Sequence, residues 1–174
     1  MPNFGKADLL QFALGAAESE YKELSDTWRM LDAKAQATTA VSGIFVAVAL
    51  AYMRDGGATV LRDYRALIVL TLLALLVSVV LAVVSMLVRT VPMAPSSENA
   101  LAMVKDLVVR PDTELDDRYE GLLGDTLESW LPVNQALRAT NGRKADWLRG
   151  SQISLLVAAA LVSVVTLLGI CSIS

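Results

Sequence analysis

Three stretches of the chain lack any charged residue: Ala37–Met53, Ala66–Val88 and Ile153–Ile170, of 17, 23 and 18 residues. A hydrocarbon core of roughly 30 Å takes about 20 apolar residues of helix. Each stretch therefore predicts a transmembrane helix. The two shorter ones gain length from weakly polar neighbours, Ala33, Ala35 and Gln36 before the first and Ser172–Ser174 after the third. The competing reading, helices buried in a soluble core, does not suit three such runs in a chain of 174 residues.

Ahead of the first stretch the pattern changes. Leu10, Leu14, Ala17, Tyr21, Leu24, Trp28, Leu31 and Ala35 recur alternately every four and three residues. This is an a/d seam of the coiled-coil type. Nothing interrupts it before Gly43, so one helix is expected from about Ala7 into the membrane, its part outside the bilayer roughly 45 Å long at 1.5 Å per residue. A lone helix of this kind needs a partner for its seam. The segment between the second and third spans offers one. Pro92–Ser97 reads as a loop, with Ser96 or Ser97 the N-cap of a short helix near Glu98–Val109. Thr113 and Asp116 then have capping-box spacing. Gly121, Gly124 and Pro132 predict a break. Beyond it Val133, Leu137, Thr140, Lys144, Trp147 and Leu148 share a stripe leading into the third span, with Asn141-Gly142 a place for a bend.

The expected fold is an all-α membrane protein of three transmembrane helices. Helices one and three have cytoplasmic extensions, and one or two short helices lie in the long loop. In numbers, 1–36 is a cytoplasmic amphipathic helix, 37–53, 66–88 and 153–170 are spans, 54–65 is an external loop, 89–152 a cytoplasmic helical segment and 171–174 an external tail. The orientation follows from the basic residues. Twelve of the 15 Lys and Arg lie before the first span or between the second and third, against Arg54, Arg62 and Arg65 in the short loop. The richer side is cytoplasmic by the positive-inside rule. Met1–Asp8 lacks the basic and apolar regions of a cleavable signal, so insertion is expected to rely on the internal spans.

Composition narrows the chemistry. The chain is 55% hydrophobic, carries a net charge of −3 and has no histidine. The commonest general base and metal ligand is therefore missing. A single cysteine, Cys171, excludes an intrachain disulfide and a cysteine metal cluster. With no glycine-rich phosphate loop either, no enzyme, cofactor or metal site is expected. The spans hold no Asp, Glu, Lys or Arg, which argues against a pump, a coupled transporter or a charge-ringed channel. They do hold small residues every four positions: Gly43, Ala47 and Ala51 in the first, Ala74, Ser78 and Ala82 in the second. Such faces permit close helix contact in lipid, either within one chain or between copies. Three helices cannot enclose an aqueous pore, so conduction would take several copies.

Asp32-Ala-Lys34-Ala35, at the mouth of the first span, and Asn141-Gly-Arg-Lys144-Ala-Asp-Trp147-Leu148, running into the last, resemble the transmembrane effectors of Pycsar, a bacterial anti-phage system. The resemblance covers roughly residues 20–170, and Glu98–Trp130 aligns with nothing in it. It implies an inner-membrane protein that answers cyclic UMP or cyclic CMP, made by a pyrimidine cyclase on infection. The response implied is homo-oligomerisation and damage to the membrane, with growth arrest or death of the infected cell. The partners implied are the lipid bilayer and the cyclic nucleotide, not a nucleic acid polymer.

A cyclic mononucleotide needs a cation or N–H groups for its phosphate, polar groups for its base or ribose, and an aromatic face for stacking. Arg29, Lys34 and Lys144 are the candidate cations, Asp32 and Asn141 the polar readers and Trp147 the stacking group. Each has a plainer reading. Lys34 snorkels to lipid head groups. Asp32 bridges to a basic residue of helix one or three. Trp147 anchors at the interface, and Tyr21, Leu24, Trp28 and Leu31 pack the seam. Two other functions fit the same features: a membrane-anchored coiled-coil adaptor for a soluble partner, and a holin-like pore former.

Overall fold

The computed structural model of the chain describes residues 5–55, 64–88 and 115–171. These form three helices, α1 (Lys6–Asp55), α2 (Arg65–Leu87) and α3 (Leu115–Cys171), with no strand among the described residues. Each contains a stretch long and apolar enough to cross a membrane. In lipid every backbone N–H and C=O must be satisfied within the segment, which a helix alone achieves for an isolated span. The residues form two compact units, one of Met1–Trp28 with Thr90–Asn141, the other of Arg29–Arg89 with Gly142–Ser174.

In the first unit α1 and α3 run parallel. Lys6 pairs with Glu120 at 2.8 Å, Gln11 donates to the Tyr119 hydroxyl, Arg138 pairs with Glu20, and Asn141 reaches Leu24. Ala17, Leu123, Val133 and Leu137 are buried between them. The seam residues Leu10, Leu14, Tyr21, Leu24 and Trp28 are half-buried around that core. Tyr21 meets Trp130 edge-to-face, centroids 5.2 Å apart and planes at 64°. Such a pair contributes about 0.5–1.5 kcal/mol beyond its buried area. The seam of α1 has its partner here, in α3.

In the second unit α1 and α3 are again parallel, with α2 antiparallel to both. Ser85, Ser78 and Ala74 of α2 meet Lys144, Ser151 and Ser154 of α3 in reverse order. The buried face of α2 is Ile68, Thr71, Leu75, Ser78, Ala82 and Ser85, at alternating intervals of three and four. This is a knobs-into-holes seam. Its other faces show Leu70, Leu73, Leu76, Val80 and Leu87. Gly150 of α3 lets α2 come close, because a Cβ there would lie 3.3 Å from Leu81 Cδ1.

Three expectations need correction. There is no break at Gly121, Gly124 or Pro132, since α3 is continuous and carries Pro132 inside it. The proline removes one backbone N–H, but Leu123, Val133 and Leu137 on either side of it are buried against α1. Tertiary packing of an apolar face outweighs local propensity in this way. The helix also continues through Asn141-Gly142. Trp147 departs from the expected stripe and is 44% exposed, while Leu148 takes the inward position. The short helix near Glu98–Val109, its cap, and the cap at Thr113 lie outside the described residues.

Candidate functional site

The hydroxyls of the second unit sort into two kinds. Thr38, Thr39, Thr71, Ser163 and Thr166 donate to the carbonyl four residues back in their own helix. Ser42, Ser78, Ser85, Ser151 and Ser154 reach a different helix. Ser78 is the hub, with its Oγ 3.1 Å from Ser42 Oγ, 3.0 Å from the Ser151 carbonyl and 3.2 Å from Ser151 Oγ. Ser151 Oγ in turn donates to the Ser78 carbonyl at 2.7 Å. A hydroxyl has one proton, and one assignment satisfies all three: Ser42 donates to Ser78, Ser78 to the Ser151 carbonyl, and Ser151 to the Ser78 carbonyl. Ser154 Oγ donates to the Ala74 carbonyl at 2.7 Å, and Ser85 Oγ to the Lys144 carbonyl at 3.1 Å. Such contacts between membrane helices average about 0.6 kcal/mol each.

Lys144 has no exposed surface, yet its Nζ lies 2.6 Å from Asp32 Oδ1. The Asp32 side chain is one-third exposed. This ion pair ties α1 to α3 beside Ser85. Removing one partner of a buried pair costs about 3–5 kcal/mol. It is the strongest single polar contact in the unit.

The other candidate residues are placed as follows. Arg29 is exposed one turn before Asp32, and Trp147 is exposed one turn after Lys144. Lys34 is exposed too, but two residues from Asp32, roughly 200° round the helix. The structure thus brings Asp32 and Lys144 together and sets Lys34 apart from them. Of the small-residue faces, Ala74 is half-buried and Ser78 and Ala82 are buried within the chain, while Gly43, Ala47 and Ala51 are exposed. Leu31, the last of the seam candidates, is half-buried in this unit. Among the described residues no cluster of acidic or cysteine side chains has the form of a metal site.

In the first unit Asn141 is buried. Its Nδ2 donates to the Leu24 carbonyl at 2.8 Å, and seven residues earlier Asn134 Nδ2 donates to the Ala17 carbonyl at 2.9 Å. The Oδ1 atoms of both are buried with no hydrogen-bond partner. Polar residues at inward positions of a paired-helix seam fix its register. The 3/4 spacing marks these positions in the sequence, but which α1 carbonyls they meet depends on the stagger of two helices more than a hundred residues apart.

A family model for the Pycsar effector protein domain matches residues 16–171. No curated protein and no solved structure matches the chain. The matched range takes in the Asp32–Lys144 pair, the serine contacts and the seam of both units.

Proposed function

Because the chain belongs to the Pycsar effector protein family, a family of anti-phage membrane effectors, we propose that it answers cyclic UMP or cyclic CMP by oligomerising and impairing the inner membrane. Its N-terminus and the segment between α2 and α3 face the cytoplasm in this reading, where a nucleotide messenger is made. The observation that carries it is the family match over a chain with three helices able to cross a membrane. Arg29, Asp32, Lys144 and Trp147, on neighbouring turns of α1 and α3, are the groups best suited to the nucleotide. Arg29 supplies a cation for phosphate and Trp147 an exposed face for the base. A phosphate drawn to Lys144 competes with the Asp32 carboxylate, which links binding to the contact between α1 and α3. Lys34 and Asn141 are second choices, the former for phosphate and the latter for a base edge.

Leakage of dye from vesicles containing the purified protein tests this reading directly. Cyclic UMP or cyclic CMP is expected to release the dye, and cyclic AMP or buffer is not. Arg29→Ala and Trp147→Ala are expected to shift the nucleotide dose upward, each by about tenfold for a lost contact of roughly 1.4 kcal/mol. Leakage with nothing added marks a holin-like pore former instead. Silence in every condition returns weight to the adaptor reading, although Tyr21 and Leu24 of its docking seam already pack on α3.

A further inference from the structure

The membrane-crossing helices show almost no hydrophilic surface on the outside. Ile44, Val48, Leu73, Leu76, Leu156 and Leu167 are each more than half exposed. The exposed hydroxyls, Ser163 and Thr166, are turned back onto their own helix carbonyls. The hydroxyls that reach away from their own backbone are all on the inside. From Ser85 through Ser78 to Ala74 of α2, where Ser154 is bound, they span 11 residues, about 16 Å at 1.5 Å each. That is half of a bilayer core. At one end stands the Lys144–Asp32 pair. Toward the other end, the three helices leave a cavity of about 440 Å³ lined by Val48, Ile68, Thr71, Val162, Val165 and Thr166. The hydrophilic thread thus runs from a charge pair to a gap in the packing.

We infer that this buried seam, Ser42, Ser78, Ser85 and Ser151 with Lys144 at its mouth, is the lining of the water-filled path through which the membrane leaks. The inference rests on the membrane-impairing reading above. An assembly built from bundles in the packed arrangement would present only aliphatic side chains to its axis, and such a surface sheds water. A wet path needs the interior face. α2 must therefore turn its serine face from α1 and α3 toward the shared axis of several copies, while its Leu and Val faces stay in lipid. Water then takes over each serine's hydrogen bonds, so no hydroxyl loses its partner. The Lys144–Asp32 pair closes the resting arrangement, and its opening leaves an ammonium and a carboxylate at the entrance.

The test uses the full chain with its one cysteine removed, Cys171→Ser, and single cysteines placed at Ser78, Ser151, Val80 or Val157. Each variant goes into vesicles with a membrane-impermeant thiol reagent, with and without cyclic UMP or cyclic CMP, and dye leakage is followed in parallel. Reaction at Ser78→Cys and Ser151→Cys is expected to quicken about tenfold or more as dye escapes, since a thiol must be wet to ionise and react. Val80→Cys and Val157→Cys are expected to stay slow. Leakage with Ser78→Cys and Ser151→Cys still protected overturns the lining and leaves the effector reading intact. Absence of leakage with either nucleotide overturns the effector reading and the lining with it. A double variant guards against disturbed packing. Ser42 and Ser78 have their Oγ atoms 3.1 Å apart, within disulfide reach. The oxidised Ser42→Cys/Ser78→Cys protein is expected to hold its dye and to leak once reduced, with nucleotide present in both states. Equal leakage in both states overturns the proposal.

Discussion

Lys144 has no exposed surface, so its effect on stability depends on what stands opposite it. Asp32→Ala removes that carboxylate and is expected to destabilise the protein by about 3 kcal/mol, seen as a fall in the thermal midpoint in detergent. Asp32→Ala combined with Lys144→Met is expected to recover most of the loss, because the buried ammonium goes too. A double mutant no better than the single one would show that Lys144 draws its stability from elsewhere. Asn141→Leu works in the opposite sense. It removes a buried oxygen with no hydrogen-bond partner, an arrangement that costs about 1–3 kcal/mol, at the expense of one bond to the Leu24 carbonyl. The thermal midpoint is expected to hold or rise. A simultaneous loss of the nucleotide response would move Asn141 from the packing of the seam to the reading of the ligand. At this scale the sequence is informative about charge and silent about contact. An acid at Asp32, close to lipid, signals a basic partner, but Arg29, Lys34 and the basic residues of α3 are all eligible on spacing alone. Only the stagger of α1 against α3 singles out Lys144.

The elements are the most readable level. Uncharged stretches mark the membrane-crossing parts because a bilayer excludes charge, and the 3/4 spacing from Leu10 to Ala35 marks a helix because only an α-helix brings those positions to one face. Pro132 misleads for an equally physical reason. Propensity is local, whereas the burial of Leu123, Val133 and Leu137 is not. Replacing this residue with alanine restores a backbone donor without touching the core. Pro132→Ala is expected to raise stability by about 1–3 kcal/mol, measurable by thermal unfolding followed through helical circular dichroism. Gly150 makes the contrary case. Its lack of a side chain is what Leu81 packs into, so Gly150→Leu is expected to push α2 from α3 and lower the midpoint by several degrees.

For the molecule as a whole, an odd number of crossings puts the two ends of the chain on opposite sides of the membrane. The parallel course of α1 and α3 agrees with that count, since consecutive spans alternate and the first and third share a direction. Composition and hydropathy are enough to read an all-helical, three-span protein. They are not enough to pair its helices, which is decided by interlocking of residues such as Ser78 and Ser151. Paired topology reporters fused to either end are expected to place the N-terminus inside and the C-terminus outside. The reverse result would move the proposed nucleotide groups away from the messenger.

Ser78 touches both neighbours at once, accepting from Ser42 of α1 while bound twice to Ser151 of α3. A rotation of α2 cannot release one helix and keep the other. The three come apart in a single event, which makes the bundle a switch with a threshold rather than a valve with intermediate settings. A cell carrying it would ignore a trickle of messenger and commit fully once the signal passes a set level.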